Sequence, residues 1–348
     1  MRSVGGRVGI KEVAQAAGVS VTTVSHALSG KGRLPEDTRQ RVRRIAAELG
    51  YRPNAMARNL AGGRTGMLGL AVSQPGGLPF RLSDFAYFAQ LMAAATTAAM
   101  NHGYALVLTP PNGSLGVGAG LAVDGAIIVD PVEGDPLTPE LRRSGVPVVT
   151  TGRVLGESEP GPWVDNDQVA GTRSVLDHLA RRGARRIALL TSPTVMSYTR
   201  DVEHAYRAWC TEHRMDSIVE HTRPDLTESA GYAAAGKLLD AAHPPDAIYA
   251  TYDRLAAGTL LAAQARGVTV PHELLLVTAA TESGSGQSAR PSLTALNLHP
   301  DRIGHEAAEL LVALVDGRQP RSLHVTVPTR VIARASTRRT REAVSGST

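Results

Sequence analysis

The chain has 348 residues, 43% of them hydrophobic and 20% charged, which is room for two or three folding units with ordinary globular cores. No run approaches the roughly 20 apolar residues that a bilayer crossing needs. The lone cysteine, Cys210, excludes an intrachain disulfide and a thiolate-rich zinc site. The opening MRSVGGRVGIKE lacks the apolar segment of a secretory signal, so the expected compartment is the cytoplasm. The net charge of +5 is unevenly spread: residues 1–64 hold 12 Lys and Arg against 4 Asp and Glu, leaving −3 for the rest. A basic head on a mildly acidic body points to a polyanion as the partner of the head alone.

Residues 10–28 read IKEVAQAAGVSVTTVSHAL. Ile10, Val13, Ala14 and Ala17 recur at helical spacing and stop at Gly18, a residue free to turn the chain through positive φ. Ser20 is placed to cap a second helix over residues 21–29, with Val24, Ala27 and Leu28 inward. Two short helices joined by a glycine-containing turn make a helix-turn-helix, whose second helix is offered to the major groove. Thr22, Thr23, Ser25 and His26 face outward, a row of small hydrogen-bonding groups suited to phosphates and base edges. A third helix is expected over residues 36–49, entered at Pro35 and stopped at Gly50. Val42, Ile45, Ala46 and Leu49 form its inner face, while Arg39, Arg41, Arg43 and Arg44 fan outward. After the break at Pro53, residues 54–60 suit a helix of under two turns before Gly62 and Gly63. Alone in water so short a helix is marginal, so it should form only against a partner.

From Met67 onward the texture changes. Apolar runs at residues 67–72, 104–109, 125–130 and 146–151, then 185–192, 247–251 and 274–280, read as buried strands. Helical stretches lie between them, at residues 85–102, 139–144, 168–182, 201–212, 229–241 and 256–266. Strands alternating with helices imply parallel sheets covered on both faces, and two such sets imply two Rossmann-like lobes. A ligand cleft is then expected at the carboxyl ends of the strands. The predicted fold class is thus a small all-α helix-turn-helix headpiece followed by a two-lobed α/β effector domain. The expected divisions are residues 1–52 for the headpiece, 53–66 for the hinge helix and linker, 67–340 for the lobes and 341–348 for a polar tail. Motifs of chemistry fail. GVGAG at Gly116–Gly120 lacks the last glycine of a dinucleotide fingerprint, and HEAAE at His305–Glu309 has Glu where a zinc helix needs its second His. No catalytic constellation, metal site or cofactor site emerges, and an enzyme is not expected.

IKEVAQAAGVSVTTVSHALSG, the following TRQRVRRIAAELGYRPNAMARNL and the closing VPTRVIARAST resemble the lactose-repressor (LacI/GalR) family of bacterial transcription regulators. VDGAIIV, GVPVV, WVDNDQVAG and HLARRGARRIALL extend the resemblance over residues 8–337. It implies a periplasmic-binding-protein-like effector domain and a repressor that binds a pseudo-palindromic double-stranded operator as a homodimer. It assigns base reading to Val21, Thr22 and His26, and phosphate contacts to Ser20, Thr23, Ser25 and Arg33. Asn54 would start the hinge helix, Ala57 would let its backbone approach DNA, and Leu60 would wedge open a minor-groove base step. Read without the resemblance, Leu60 is an ordinary apolar residue docking the linker, and His26 a solvated surface histidine.

For a small-molecule effector, a sugar or other metabolite, the resemblance points to Phe88, Arg200 and Asp253. A core aromatic and a cleft-edge ion pair are the competing readings of Phe88 and Arg200. The match is imperfect: Tyr252 stands where the family has Asn, and Ala280 or Thr281 where it has an acidic residue. The connection at residues 109–122 is short and glycine-rich. A sugar held in the usual way is therefore not the expected ligand. Two rival readings share the lobes: a solute-binding protein of a transporter, and a small-metabolite enzyme. The first needs a signal peptide and the second an acid/base pair. The expected location is the cytoplasm, on the nucleoid.

Overall fold

The computed structural model describes residues 8–29, 33–51, 64–73, 85–109, 122–158, 160–281 and 285–338. The chain divides into two compact units, Met1–Gly66 and Met67–Thr348. The first contains α1 (Ile10–Ala17), α2 (Val21–Ser29) and α3 (Glu36–Glu48). Gly18 closes α1 in the left-handed conformation, at φ 65°, and its N–H reaches back toward Ala14 and Gln15. The Ser20 hydroxyl accepts the Thr23 N–H at 3.1 Å, so it caps α2 as its position suggested. Val13, Val24, Ala27 and Val42 are fully buried and, with Ala14, Ala17 and Ala46, make one small core. One expectation fails here: Leu49 lies exposed at the C-cap of α3. The helix ends there and Gly50 turns the chain at φ 65°, so the last member of the inward stripe leaves the core.

The second unit holds two six-stranded sheets. The first has the order β11-β5-β4-β3-β1-β2, from β1 (Met67–Val72), β2 (Ala105–Thr109), β3 (Gly125–Val129), β4 (Val148–Thr151), β5 (Trp163–Asn166) and β11 (His324–Val327). All its pairings are parallel, with Leu68 opposite Gly125 and Val325 opposite Val164. The second has the order β12-β10-β9-β8-β6-β7, from β6 (Ile187–Thr191), β7 (Ile218–His221), β8 (Ala247–Ala250), β9 (Leu275–Ala280), β10 (Thr294–Asn297) and β12 (Arg330–Ile332). Only β12 runs antiparallel to its neighbour. Central strands such as β3 and β6 are buried along their whole length, which is why they read as unbroken apolar runs.

The second half does not simply repeat the first. The chain leaves the first sheet after β5 and returns to it through β11, then crosses back to β12, so three segments join the lobes. The helices between the strands are α4 (Ala86–Asn101), α5 (Leu137–Arg143), α6 (Gln168–Arg181), α7 (Ser197–Glu212), α8 (Glu228–Leu239), α9 (Asp253–Ala265) and α10 (Pro300–Val315). Two helix pairs pack with backbones in near contact: α10 meets α4 at Gly304, and α9 meets α8 at Gly258. A methyl group on Gly304 would collide with the carbonyl oxygen of Leu91, and one on Gly258 with that of Glu228.

Alanine normally gains up to about 1 kcal/mol over glycine inside a helix. At Gly304 the collision should reverse that sign, so Gly304→Ala is expected to destabilise the protein by about 1–3 kcal/mol. Urea unfolding checks this, and a gain in stability would contradict the packing.

Candidate functional site

The first unit presents a polar helix face. On α2, Val21, Thr22 and His26 are exposed while Thr23 and Ser25 are half-buried, and Arg33 is exposed beyond the helix. The Ser20 and Thr23 hydroxyls lie 2.9 Å apart, so the capping interaction orients both before any partner arrives. Arg41, Arg43 and Arg44 are exposed on α3; Arg44 lies 3.7 Å from Glu48, while Arg39 is less exposed and 4.0 Å from Glu36. Exposed pairs this loose stabilise little and leave positive charge at the surface. Asn54, Ala57 and Leu60 lie outside the described residues.

In the second unit, the carboxyl ends of both sheets face a cavity of about 690 Å³, part of it open to solvent. Parallel strands place loops and helix starts at that edge, so residues just past strand ends converge there. Asp130 follows β3, Asp165 and Asn166 close β5, Thr251, Tyr252 and Asp253 follow β8, and Ala280 closes β9 with Thr281 just after it. Phe85, Tyr87 and Phe88 enter from the start of α4 and Tyr198 from the first turn of α7.

Contacts across the cavity hold the lobes together. Arg153, just past β4, donates from Nε to Asp165 at 3.1 Å and pairs through Nη2 with Asp201 of α7 in the other lobe. Its backbone N–H donates to Ser197 Oγ at 3.1 Å, and that hydroxyl lies 3.3 Å from Asp165 Oδ2. Gln90 of α4 donates to Thr281 Oγ1 at 3.1 Å, and the N–H of Glu133 donates to the carbonyl of Val195 at 2.8 Å.

Asp130 is the unusual group. Its backbone is left-handed, at φ 50°, a conformation that aspartate tolerates better than most residues. Burial, and then the neighbouring Asp165, push its carboxyl up to about 7. Asp165 is also raised by burial, an effect that Arg153 opposes. Burial raises the phenols of Tyr87 and Tyr198 well above their usual range.

Of the residues expected in the cleft, Phe88 and Asp253 line it, each 9% exposed. Asp253 is the first residue of α9 and accepts the Arg254 N–H at 2.9 Å. Arg200 is not brought to this cavity. It borders a separate groove with Glu203, His204, Arg207 and His221, and its Nε lies 3.7 Å from Asp201. The reason is helical phase. α7 starts at Ser197, before the expected residue 201, and at about 100° per residue Arg200 falls on the face opposite Tyr198. The arginine at the cleft edge is Arg153 instead, which sequence reasoning passed over. It also passed over Phe85, Tyr87, Tyr198 and Asp130. An aspartate closing an apolar strand was the available signal for the last.

Residues 9–54 match the family described as bacterial regulatory proteins, lacI family, and residues 176–337 match the periplasmic binding protein-like domain. The chain is 31% identical over 337 residues to the HTH-type transcriptional regulator CelR of Thermobifida fusca, covering 94% of this chain and 97% of that one. Among solved structures it resembles the complex of the transcriptional regulator CelR with cellobiose, at TM-score 0.69 and 28% identity over 95% of this chain and 100% of that one. It also shares its fold with the lac repressor dimer bound to operator and the anti-inducer ONPF, at TM-score 0.79 and 24% identity, covering 95% and 99% of the two chains.

A carboxyl whose folded value sits near 7, against 3.8 when solvated, is protonated more readily in the folded chain. Its contribution to stability is therefore present at low pH and is lost as pH rises from about 4 through about 7. Asp130→Asn removes this loss. The variant should gain roughly 1–4 kcal/mol on the parent between about pH 5 and about pH 8 in urea unfolding. Parallel pH profiles for the two proteins would contradict the assignment.

Proposed function

The chain belongs to the LacI family of bacterial regulatory proteins, and from that premise we propose how its two units divide the work. The first reads operator DNA and the second holds a small molecule in the cleft between its lobes. The observation that carries the reading is the exposed face of α2, a row of short hydroxyls and one imidazole on a unit with a large excess of positive charge. Such a face makes phosphate and base-edge contacts rather than a packing interface.

Val21, Thr22 and His26 contact bases in this proposal, and Ser20, Thr23, Ser25 and Arg33 contact phosphates. One such helix reads only a few base pairs, so two copies bind a pseudo-palindromic site as a homodimer. Asn54 begins a hinge helix that folds on DNA, Ala57 permits close approach, and Leu60 enters the minor groove. Residues 1–52, 53–66, 67–340 and 341–348 then act as reader, hinge, sensor and tail. The effector alters affinity by binding the open and closed lobes unequally. Phe88 and Asp253 contact it, and Arg200 acts at most from outside the cavity. Such a repressor works in the cytoplasm, on the nucleoid.

Family membership sets aside both rival readings. The lobes are those of a transcription regulator, neither a transport-associated solute-binding protein nor an enzyme. The resemblance to a cellobiose complex and to an operator-bound repressor dimer supports both halves of the proposal.

Selection from random duplexes should yield a palindromic site. Affinity for it should fall by about 10³ or more between roughly 50 and 200 mM salt, as expected when about six or more phosphates are neutralised. His26→Ala should cost roughly 1–3 kcal/mol on the selected site and little on random DNA. Leu60→Ala should show the same asymmetry, and equal losses on both duplexes would sink the base-reading and wedge roles.

A further inference from the structure

Aromatic residues are scarce in this chain, 2 Trp, 8 Tyr and 3 Phe, yet five of them line this cavity between the lobes. Their rings are crossed rather than parallel. Phe85 meets Phe88 at 79° and Tyr252 at 74°, Tyr87 meets Phe88 at 86°, and Tyr198 meets Tyr252 at 80°, all with centroids 5.4 to 6.4 Å apart. A parallel platform favours a flat ring. Walls set at right angles present π faces from several directions and suit a compact positive charge.

The polar lining has the matching sign. Asp130, Asp165 and Asp253 line the cavity, and no Lys, Arg or His does so among the described residues. Asp165 is engaged by Arg153 and Ser197, and Asp253 accepts a backbone N–H. The Asp130 carboxyl accepts no hydrogen bond from the described residues. Gln168, 4% exposed, offers a second acceptor: its Oε1 has no donor, while its Nε2 reaches Asn166 at 3.4 Å.

Several of the lining donors, by contrast, are committed. Asn166 Nδ2 donates to the carbonyls of Leu298 and Val327 at 3.0 and 2.9 Å. The Tyr198 hydroxyl donates to the Thr251 carbonyl at 2.6 Å, and the Thr251 hydroxyl is directed to Leu190 O and Thr191. An anion would meet three carboxylates. A buried acceptor without a donor, as at Gln168 Oε1, is costly, and beside three carboxylates a positively charged donor fits it best.

We propose that the cleft takes a protonated amine carried on an apolar group, its ammonium set among the crossed rings of Phe85, Tyr87, Phe88, Tyr198 and Tyr252 and directed to Asp130 and Gln168 Oε1. This rests on the reading of the cleft as the effector site. Asp130 is faced by Asp165 from β5, Tyr87 from α4, Tyr198 from α7 and Tyr252 before α9, while Arg153 is turned to Asp165 and Asp201. The tyrosines stay protonated at neutral pH, so ammonium binding gains as the Asp130 proton leaves.

The test is calorimetric titration of the full chain, without DNA, using phenethylammonium, 2-phenylethanol, 3-phenylpropionate and cellobiose as probes. Phenethylammonium should bind at least about tenfold tighter than its alcohol, and tighten about tenfold from about pH 6 to about pH 8. Asp130→Asn should abolish that pH dependence, and Gln168→Leu should weaken the amine selectively. Both variants are checked by their unfolding transitions, and the pH series on the unaltered chain needs no variant. Undetectable amine binding, tighter binding of the alcohol, propionate or cellobiose, or an amine affinity indifferent to pH would overturn the proposal. Binding to selected duplex DNA is measured separately. Its failure would remove the regulator reading and leave the amine result standing, whereas amine failure with intact DNA binding overturns this inference alone.

Discussion

Arg153 bonds to a carboxylate in each lobe of the larger unit, Asp165 beside it and Asp201 across the cleft. Taking these charges away from water is costly, and the cost is offset only when the groups are paired and their hydrogen bonds are filled. Arg153 meets that condition through two carboxylates and through its backbone N–H on Ser197. The closed arrangement is therefore self-consistent but not a large store of stability. A pair whose Coulomb gain and desolvation nearly cancel can open at small net cost, which suits a joint that must move. This joint spans the two lobes whose strand ends and helix starts line the cavity. Ser197 and Tyr198, which lines the cavity, lie about one helical turn from Asp201, so this end of the joint and one aromatic wall share a turn of helix.

The cavity's chemistry follows from where parallel strands end. Two sheets facing each other by their carboxyl edges bring strand-terminal carboxylates and helix-initiating aromatics to the same space. Without a partner for each charge, such a site strains its own ionisation, as Asp130 does beside Asp165. A ligand that supplies such a partner would favour one lobe arrangement over the other, and any such difference in affinity is available to the DNA-reading unit.

The headpiece was legible in the sequence because local rules agree there: a glycine stop, a serine cap and apolar spacing all call for the same two helices. Buried central strands were equally plain. The short strands β5, β7, β10, β11 and β12 escaped, because WVDN, IVEH, TALN, HVTV and RVI are brief and partly polar. Their place is fixed by pairing with distant residues, as β11 with β5, and not by local pattern. Phe88 and Asp253 reached the cavity as expected, since each sits at a helix start next to a strand end. Arg200 did not, because it lies on the same helix two residues after Tyr198, about 200° around from the cavity-facing side. Asp130, Arg153 and Tyr198 converge only through the topology, and no spacing in the chain announces them.

The central claim is the proposed link between lobe arrangement and DNA affinity, and the Arg153 joint is the contact whose loosening probes it. It is tested most directly by the dissociation constant of Asp201→Asn for a duplex selected by the unaltered protein, set against its constant for random DNA. Loosening the joint should change affinity for the selected duplex by about fivefold or more while leaving random DNA nearly unaffected. An unchanged affinity for the selected duplex, in a variant that unfolds like its parent, would contradict the account.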